Sequence, residues 1–136
     1  PEIMEVRNLR LQEKYRQIKA NEVRYETKFM EDAEYMIVAF GSAARIAEKT
    51  IELARAEGIK VGLFRPITLW PFPEKEIKEA AKNLKGILVA EINAGMMIED
   101  VRLAVDGAVK CAHYGRLGGI VPEPEEMVKA LKEEFK

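Results

Sequence analysis

Three polar side chains near the end of the sequence could take part in acid–base chemistry or anion binding: His113, Tyr114 and Arg116. A histidine that transfers protons needs a nucleophile beside it, and one that binds a metal needs further ligands. His113 is the only histidine, and no serine or second histidine stands near it in the sequence. We therefore interpret His113 as a structural or interface residue rather than a catalytic one.

The chain has one cysteine, Cys111, two positions before His113 on a predicted strand. One cysteine excludes an internal disulfide, a zinc site of several cysteines and an Fe–S cluster held by this chain alone. We expect an inert, buried thiol, and a reducing cytoplasm as the natural location.

Two further groups of polar residues follow predicted strands. Gly41 and Ser42 stand where a helix begins, and free backbone N–H groups there can bind an anion. The segment is neither GxGxxG nor a P-loop, so these candidate anion-binding residues could equally form a simple helix cap. Glu91 and Asn93 could contact a partner or satisfy the neighbouring backbone, and the sequence leaves both open.

The segment Phe64–Pro73, FRPITLWPFP, holds three of the six prolines and the only tryptophan. Proline ends helices and sheet ladders, so we expect irregular structure after Phe64. Prolines hold a loop in place at low entropic cost, which would suit Trp70 and Phe72 to docking. The alternative is that both rings fold back over the core of their own domain.

Composition limits the kind of protein. The 136 residues suit one domain, with 48% hydrophobic and 33% charged residues and a net charge of −1. No basic stripe appears, so we expect no nucleic-acid partner. No apolar run approaches the roughly 20 residues that span a bilayer, so we expect no membrane partner. Abundant Lys and Glu with only two glutamines, Gln12 and Gln17, favour a thermophilic source.

Hydrophobic spacing divides the chain into a helical connector over 1–22 and an α/β domain over 23–136. An alternating segment, 23–29, predicts a half-exposed edge strand, and short apolar runs predict covered strands at 36–40, 59–64, 87–92 and 109–114. Helices lie between these strands, with Ser42 as an expected N-cap and Gly86 as an expected helix end. This alternation predicts a parallel sheet with helices on both faces.

Loops after the carboxyl ends of parallel strands meet at one edge of the sheet, which we call the rim. The rim is predicted to comprise 41–45, 65–73, 91–95 and 114–119. Nothing in these loops forms a self-sufficient active site.

Several rim segments in this order resemble a known family: GSAARIAEKTIELARAEGIKVGLFRPITLWPFP, ILVAEINAGMMIEDVRLAV, and YGRLGG followed by PEPEEM. They resemble the C-terminal domain of the alpha subunit of 2-oxoacid:ferredoxin oxidoreductases, particularly enzymes acting on 2-oxoglutarate or related 2-oxoacids. The resemblance runs from about Asp32 to the C-terminus, and helix 2–20 is similar to the connector before this domain. One position departs from the pattern, because Met96 stands where the family commonly has Gln.

The resemblance implies a transketolase C-terminal-like fold: a three-layer α/β/α sandwich with a mostly parallel five-stranded sheet and one antiparallel edge strand. It also implies oxidative decarboxylation of a 2-oxoacid to acyl-CoA with thiamine diphosphate, coenzyme A, an Fe–S cluster and ferredoxin. These cofactors would be bound elsewhere in the complex, so we expect this fragment to bind none and to be inactive alone.

The implied partners are the alpha-subunit N-terminal domain and the beta subunit, with ferredoxin reached through the complex. The predicted interface residues are Arg65, Trp70, Phe72, Glu91, Asn93, Tyr114 and Arg116. A homodimer through the rim is a further expectation for the isolated domain.

Two alternatives stay open at this point. One is a stand-alone α/β module that binds a small anion through Ser42, Arg65 and Arg116. The other is the matching domain of a transketolase or a thiamine-dependent dehydrogenase, because fold alone does not separate these enzymes. The segments Glu91–Gly95 and Arg65–Pro73, taken together, disfavour the second.

Overall fold

The computed structural model describes residues 1–136, with strands and helices in alternation after a first helix. The helices are α1 (Glu2–Asn21), α2 (Gly41–Ala56), α3 (Glu74–Ala80), α4 (Met97–Val105) and α5 (Pro124–Phe135). The strands are β1 (Tyr25–Lys28), β2 (Tyr35–Ala39), β3 (Val61–Pro66), β4 (Gly86–Glu91) and β5 (Cys111–Gly115). None of these helices combines the length and the apolar character needed to cross a membrane.

The five strands form one sheet in the order β1-β3-β2-β4-β5. Strand β1 pairs antiparallel with β3, and the remaining neighbours pair in parallel. The predicted fold class, a mostly parallel five-stranded sheet with one antiparallel edge strand, is therefore confirmed.

Helices cover both faces of the sheet because the central strands are apolar on both sides. Every residue of β2 and of β4 is buried. Helices α2 and α5 pack on one face, over a cluster that includes Ile37, Leu63 and Leu88. Helices α3 and α4 pack on the other, over Met36, Phe64 and Val89. The two clusters give the sandwich its three layers.

Helix α1 lies outside this arrangement. None of its 20 residues is buried, although Leu11, Tyr15 and Ile18 recur at helical spacing. Its aromatic contact with the rest of the chain is an edge-on packing of Tyr15 against Trp70, with ring centroids 5.7 Å apart. Helix α1 therefore lies on the surface of the domain and contacts it near the rim, through Tyr15 and Trp70.

Three local predictions are wrong. Strand β3 continues past Phe64 through Arg65 to Pro66, because its antiparallel register with β1 extends to the Tyr25–Pro66 pair, and a strand end tolerates proline. Helix α2 begins at Gly41 after Phe40, with no side-chain cap, so Ser42 is not the N-cap.

Gly86 does not close helix α3, which ends at Ala80, but begins β4. A Cβ at Gly86 would lie 2.4 Å from the Phe135 ring, so this position needs a glycine for close packing of α5 rather than for a helix cap.

Candidate docking site at the strand ends

The carboxyl ends of the parallel strands meet at the rim, as predicted. Ala39 of β2 pairs with Ala90 of β4, and Glu91 pairs with Gly115 of β5. The loops after these strands therefore lie side by side and can present one continuous surface.

Glu91 ends β4 beneath the start of helix α4, where its residue is 1% exposed. Its carboxylate accepts hydrogen bonds from the backbone N–H groups of Met97 (2.8 Å), Ile98 (3.2 Å) and Met96 (3.3 Å). The first N–H groups of a helix have no partner within the helix and carry partial positive charge, so a buried carboxylate is well placed there. Glu91 thus joins β4 to α4 from inside the domain.

Asn93 completes this loop. Its amide donates to Glu91 Oε1 at 3.2 Å, and its Oδ1 accepts from the backbone N–H of Gly95 at 2.8 Å. Of the two roles open for Glu91 and Asn93, the structure shows the internal one, and direct contact with a partner stays a prediction. Ile92 and Met96 are exposed, so the loop presents apolar side chains to solvent while Glu91 and Asn93 form hydrogen bonds inside it.

His113 lies beside Glu91, on the neighbouring strand β5. Its Nε2 atom is 3.5 Å from Glu91 Oε2, and this nitrogen is buried without a hydrogen-bond partner. A Cβ at Gly115 would lie 2.4 Å from both His113 Cε1 and the backbone oxygen of Asn93, so glycine is required for the ring to sit here.

Tyr114 and Arg116 both bind one carboxylate, Glu126, in the first turn of α5. The Tyr114 hydroxyl donates to Glu126 Oε2 at 2.7 Å, and Arg116 Nη1 donates to Oε1 at 3.1 Å. Burial, followed by the hydrogen bond to Glu126, raises the pKa of Tyr114 to about 12. The same hydrogen bond lowers the pKa of Glu126 below its usual value. This cluster ties the β5–α5 loop to the last helix.

Arg65 is similarly engaged, at the other side of the sheet. Its Nη1 donates to Glu26 Oε1 at 2.8 Å, between paired residues of β3 and β1. Strands β3 and β5 are three positions apart in the sheet, which places Arg65 and Arg116 roughly 14 Å apart across the strands. The structure therefore does not bring Ser42, Arg65 and Arg116 together as one anion site.

Gly41 and Ser42 are exposed at the start of α2, and the Ser42 side chain does not cap the helix. Their anion-binding role stays a prediction.

Trp70 and Phe72 behave differently, although one loop carries both. Phe72 is half-buried against the core cluster under α3 and lines a groove of about 350 Å³ between α1 and the start of α3. Trp70 is 54% exposed and contacts Tyr15 of α1. The loop itself is fixed, because the Thr68 hydroxyl donates to the Pro71 carbonyl at 2.8 Å and accepts from the Arg24 N–H at 3.0 Å. Trp70 is therefore held in place without being covered.

Large apolar side chains on three of the rim loops, or within two residues of them, share one property, which is exposure to solvent. They are Ile67, Leu69, Trp70, Ile92, Met96, Leu117, Ile120 and Val121. We call these eight residues the apolar rim. Exposed large apolar side chains grouped near one edge of a sheet are typical of surfaces that another protein covers.

The sequence did not identify three residues that organise the rim. Glu26 and Glu126 hold the two arginines, and Tyr15 contacts Trp70. Glu26 shows its role only once β1 pairs with β3. No group of three or more His, Cys, Asp or Glu side chains is arranged to hold a metal ion, so the residues present do not fit a metal cluster.

Comparison with known families gives one match that covers most of the chain. The profile of the pyruvate:ferredoxin oxidoreductase core domain II matches residues 33–127. Among curated proteins, the chain is 42% identical over 126 residues to the ketoisovalerate oxidoreductase subunit VorB of Methanothermobacter marburgensis. It is 32% identical over 101 residues to the 2-oxoglutarate synthase subunit KorA of the same organism. These alignments cover 93% and 74% of the chain, but only 36% and 27% of the relatives.

Two solved structures share the fold. The 2-oxoglutarate:ferredoxin oxidoreductase of Magnetococcus marinus, solved with 2-oxoglutarate, coenzyme A and succinyl-CoA, superposes with a TM-score of 0.69 at 26% identity. The match covers 83% of this chain and 20% of that one. A split-gene transketolase, an inactive beta4 tetramer, also gives a TM-score of 0.69, at 18% identity over 81% of this chain and 40% of its own, which shows the fold alone. The chain therefore belongs to the pyruvate:ferredoxin oxidoreductase core domain II family and is homologous to subunits of 2-oxoacid:ferredoxin oxidoreductases.

Proposed function

We propose that this chain is the C-terminal domain of the alpha subunit of a 2-oxoacid:ferredoxin oxidoreductase, and that it supports subunit assembly through its rim. The observation that carries the proposal is the apolar rim itself. The polar groups predicted to do chemistry there are mostly engaged within the chain, whereas eight large apolar side chains are exposed. Such a surface gains free energy when another protein covers it.

The reaction we propose for the whole enzyme is oxidative decarboxylation of a 2-oxoacid to acyl-CoA, with electrons passing to ferredoxin. The relatives are named for two 2-oxoacids, ketoisovalerate and 2-oxoglutarate, which supports the substrate class. Thiamine diphosphate, coenzyme A and the Fe–S cluster would be bound by other parts of the enzyme, in the cytoplasm. The partners would be the alpha-subunit N-terminal domain and the beta subunit.

The geometry disfavours the stand-alone anion-binding module. Arg65 and Arg116 are separated by two intervening strands, and each guanidinium is already paired with a carboxylate. An anion would have to displace Glu26 and Glu126 at two distant positions.

Substitution of Trp70 tests whether the rim is a docking surface. Replacing Trp70 with Ala removes a half-exposed ring from the apolar rim, so we expect a loss of about 2 kcal/mol in subunit association, typical of an aromatic anchor. The melting temperature of the 136-residue chain should change little, because Trp70 is not part of either core cluster. Association is measured with the full-length subunit and the partner subunit that co-purifies with it.

The matched control is Leu103→Ala, which removes another exposed apolar side chain, on α4 and outside the apolar rim. We expect this variant to assemble like the wild type. If Trp70→Ala lowers the melting temperature strongly and leaves association unchanged, Trp70 stabilises its own domain and the docking proposal is wrong.

A further inference from the structure

Strand β1 forms one edge of the sheet, and its outer side has no strand to pair with. Among the helices and strands, only β3 packs extensively against it. Three of its four residues, Tyr25, Thr27 and Lys28, are exposed. A sheet edge that is neither covered nor disrupted can pair with a strand of another molecule.

The register of β1 with β3 shows which backbone groups face the open side. The N–H of Ile67 donates to the carbonyl of Arg24, so this pair is hydrogen-bonded across the two strands. Hydrogen-bonded pairs alternate with non-hydrogen-bonded pairs along an antiparallel ladder. Every second residue after Arg24 therefore bonds to β3, and the residues between them direct their N–H and C=O groups outward. The outward-facing residues of β1 are Tyr25 and Thr27.

The side chains of Glu26 and Lys28 lie on the face of the sheet that α2 covers, and each has bonding capacity left. Glu26 uses one carboxylate oxygen, Oε1, to accept a hydrogen bond from Arg65 at 2.8 Å. Lys28 donates to Glu48 of α2 at 2.8 Å, and an ammonium group has further N–H donors. Both residues can therefore bind another residue of opposite charge without losing the partner that they have.

A second copy of β1, placed antiparallel about a two-fold axis at Thr27, matches these features. The Thr27 residues of the two copies then lie opposite each other and exchange both of their N–H···O=C hydrogen bonds. Glu26 lies directly opposite Lys28 of the second copy, because both are one residue away from the axis. Cross-strand pairs of opposite charge stabilise an antiparallel pair. The result is an alternating row of charges across the contact: Arg65, Glu26, Lys28 of the second copy and Glu48 of the second copy.

Neighbouring registers are unfavourable. A shift by one residue sets outward-facing residues opposite residues that bond to β3, so the new hydrogen bonds are lost. A pairing centred on Glu26 restores hydrogen bonds, but it sets Glu26 opposite Glu26 and Lys28 opposite Arg24. Like charges directly opposite each other destabilise an antiparallel pair. The positive φ of Phe29, 58°, ends the strand, so pairing does not extend beyond Lys28.

The other face of β1 adds apolar surface to this contact. Tyr25 is 44% exposed, although its ring stacks on Phe64 with the ring centroids 5.0 Å apart. Tyr25, Thr27 and Met30 line a groove of about 550 Å³ between β1 and α3. A two-fold axis at Thr27 places the grooves of the two copies side by side, so their apolar walls are removed from water together.

We propose that two copies of this chain associate through β1, as an antiparallel pair about Thr27 that joins their two sheets into one. The occupant is a second copy because this edge is complementary to itself in charge and in the direction of its free hydrogen-bonding groups. The contact uses no residue of the apolar rim, so it differs from the homodimer through the rim that the sequence suggested. This inference goes beyond the proposed function and does not rest on it.

The test is self-association of the 136-residue chain, measured by sedimentation velocity over a range of concentrations, and we expect a dimer. Glu26→Lys and Lys28→Glu each set like charges opposite each other across the axis, so each variant should self-associate roughly tenfold more weakly. An equimolar mixture of the two variants should form a heterodimer, because each charge then meets its opposite. Lys129→Glu, exposed on α5, is the matched control and should dimerise like the wild type.

Thr27→Pro tests the backbone hydrogen bonds. Proline at this position removes an N–H group that points to the open side, and edge strands tolerate proline there. The circular dichroism spectrum of this variant should match that of the wild type, which shows that the chain still folds. Its self-association should be weakened roughly tenfold, because the two Thr27 residues lose their N–H donors together.

Several outcomes would overturn the inference. One is a wild-type chain that stays monomeric at every concentration. Another is a dimer that Glu26→Lys, Lys28→Glu and Thr27→Pro all leave unchanged, since another surface would then hold the copies together. Failure of the two mixed charge variants to form a heterodimer would contradict the register centred on Thr27. None of these outcomes bears on the proposed function, which Trp70→Ala tests in the full-length subunit.

Discussion

Glu91 was predicted as an interface residue, but in the structure its carboxylate stabilises the fold. A glutamate at the carboxyl end of a strand suggests a partner or a ligand, but this carboxylate is buried beneath the first turn of α4. Its hydrogen bonds fix the loop that carries Ile92 and Met96 outward. The chemistry of the residue is therefore used to position the apolar surface.

Replacing Glu91 with Ala should lower the free energy of unfolding by about 3 kcal/mol, because several buried N–H groups lose their charged acceptor. Denaturant titration of the 136-residue chain measures this change. Glu99→Ala, an exposed carboxylate in the same helix turn, is the control and should change stability by no more than about 0.5 kcal/mol. Equal effects of the two substitutions would show that Glu91 contributes only charge near the helix start.

The raised pKa of Tyr114 predicts how the stability of the fold depends on pH. Its pKa in the folded chain is raised to about 12, above the ordinary value of 10.0, so the neutral phenol is favoured by the fold. The stability that the fold gains from the neutral Tyr114 phenol is present below pH 10 and is lost as the pH rises through about 12. Ultraviolet titration of the four tyrosines should show one that ionises later than the others, and Tyr114→Phe should remove that step. Its persistence in Tyr114→Phe would place the raised pKa elsewhere.

The sequence predicted where most of the rim residues lie, but not which side chains of the same chain they bind. Spacing after apolar strands was enough to place Arg65, Glu91, Tyr114 and Arg116 near strand ends. Their partners depend on pairing between distant segments, such as Arg65 with Glu26, which the local sequence does not encode. The engagement of these groups within the chain was therefore visible only in the structure.

Helix α1 differs from the other four helices because none of its residues is buried. The other helices each bury an apolar stripe against the sheet, as their hydrophobic spacing predicted. Helix α1 buries no such stripe, and its aromatic contact with the domain is the Tyr15–Trp70 pair. The connector role assigned to residues 1–22 stays a prediction.

Deleting residues 1–21 should leave the α/β domain folded. An aromatic pair contributes about 1 kcal/mol, so the melting temperature should fall by no more than about 5 °C. Thermal unfolding followed by circular dichroism measures this. For comparison, Ile51→Ala, in the buried face of α2, should cost about 3 kcal/mol. Unfolding of the truncated chain would mean that α1 is an integral part of the domain.

The order and type of the elements followed from the sequence because strands and helices carry strong, distinct hydrophobic periods. The boundaries were less predictable where tertiary contacts decide them. Strand β3 extends into Arg65 and Pro66 because β1 pairs there, and Gly86 belongs to β4 because the Phe135 ring packs against it. Both contacts join segments that are far apart in the chain.

For the whole molecule, the fold brings three loops with exposed apolar side chains to one edge of the sheet and engages most polar side chains there internally. The family of the chain is that of a core domain of ferredoxin oxidoreductases, and the chain spans 36% of the length of its VorB relative from Methanothermobacter marburgensis. We propose that this chain is part of a larger enzyme and docks onto its other parts through the rim.

The most direct test is to capture the native protein from source cells with an antibody against this chain, and to record its intact mass and its bound partners. We predict a polypeptide of more than twice the mass of this chain, retained with a subunit that binds thiamine diphosphate and carries an Fe–S cluster. A native polypeptide of this size, with no such partner, would contradict the account.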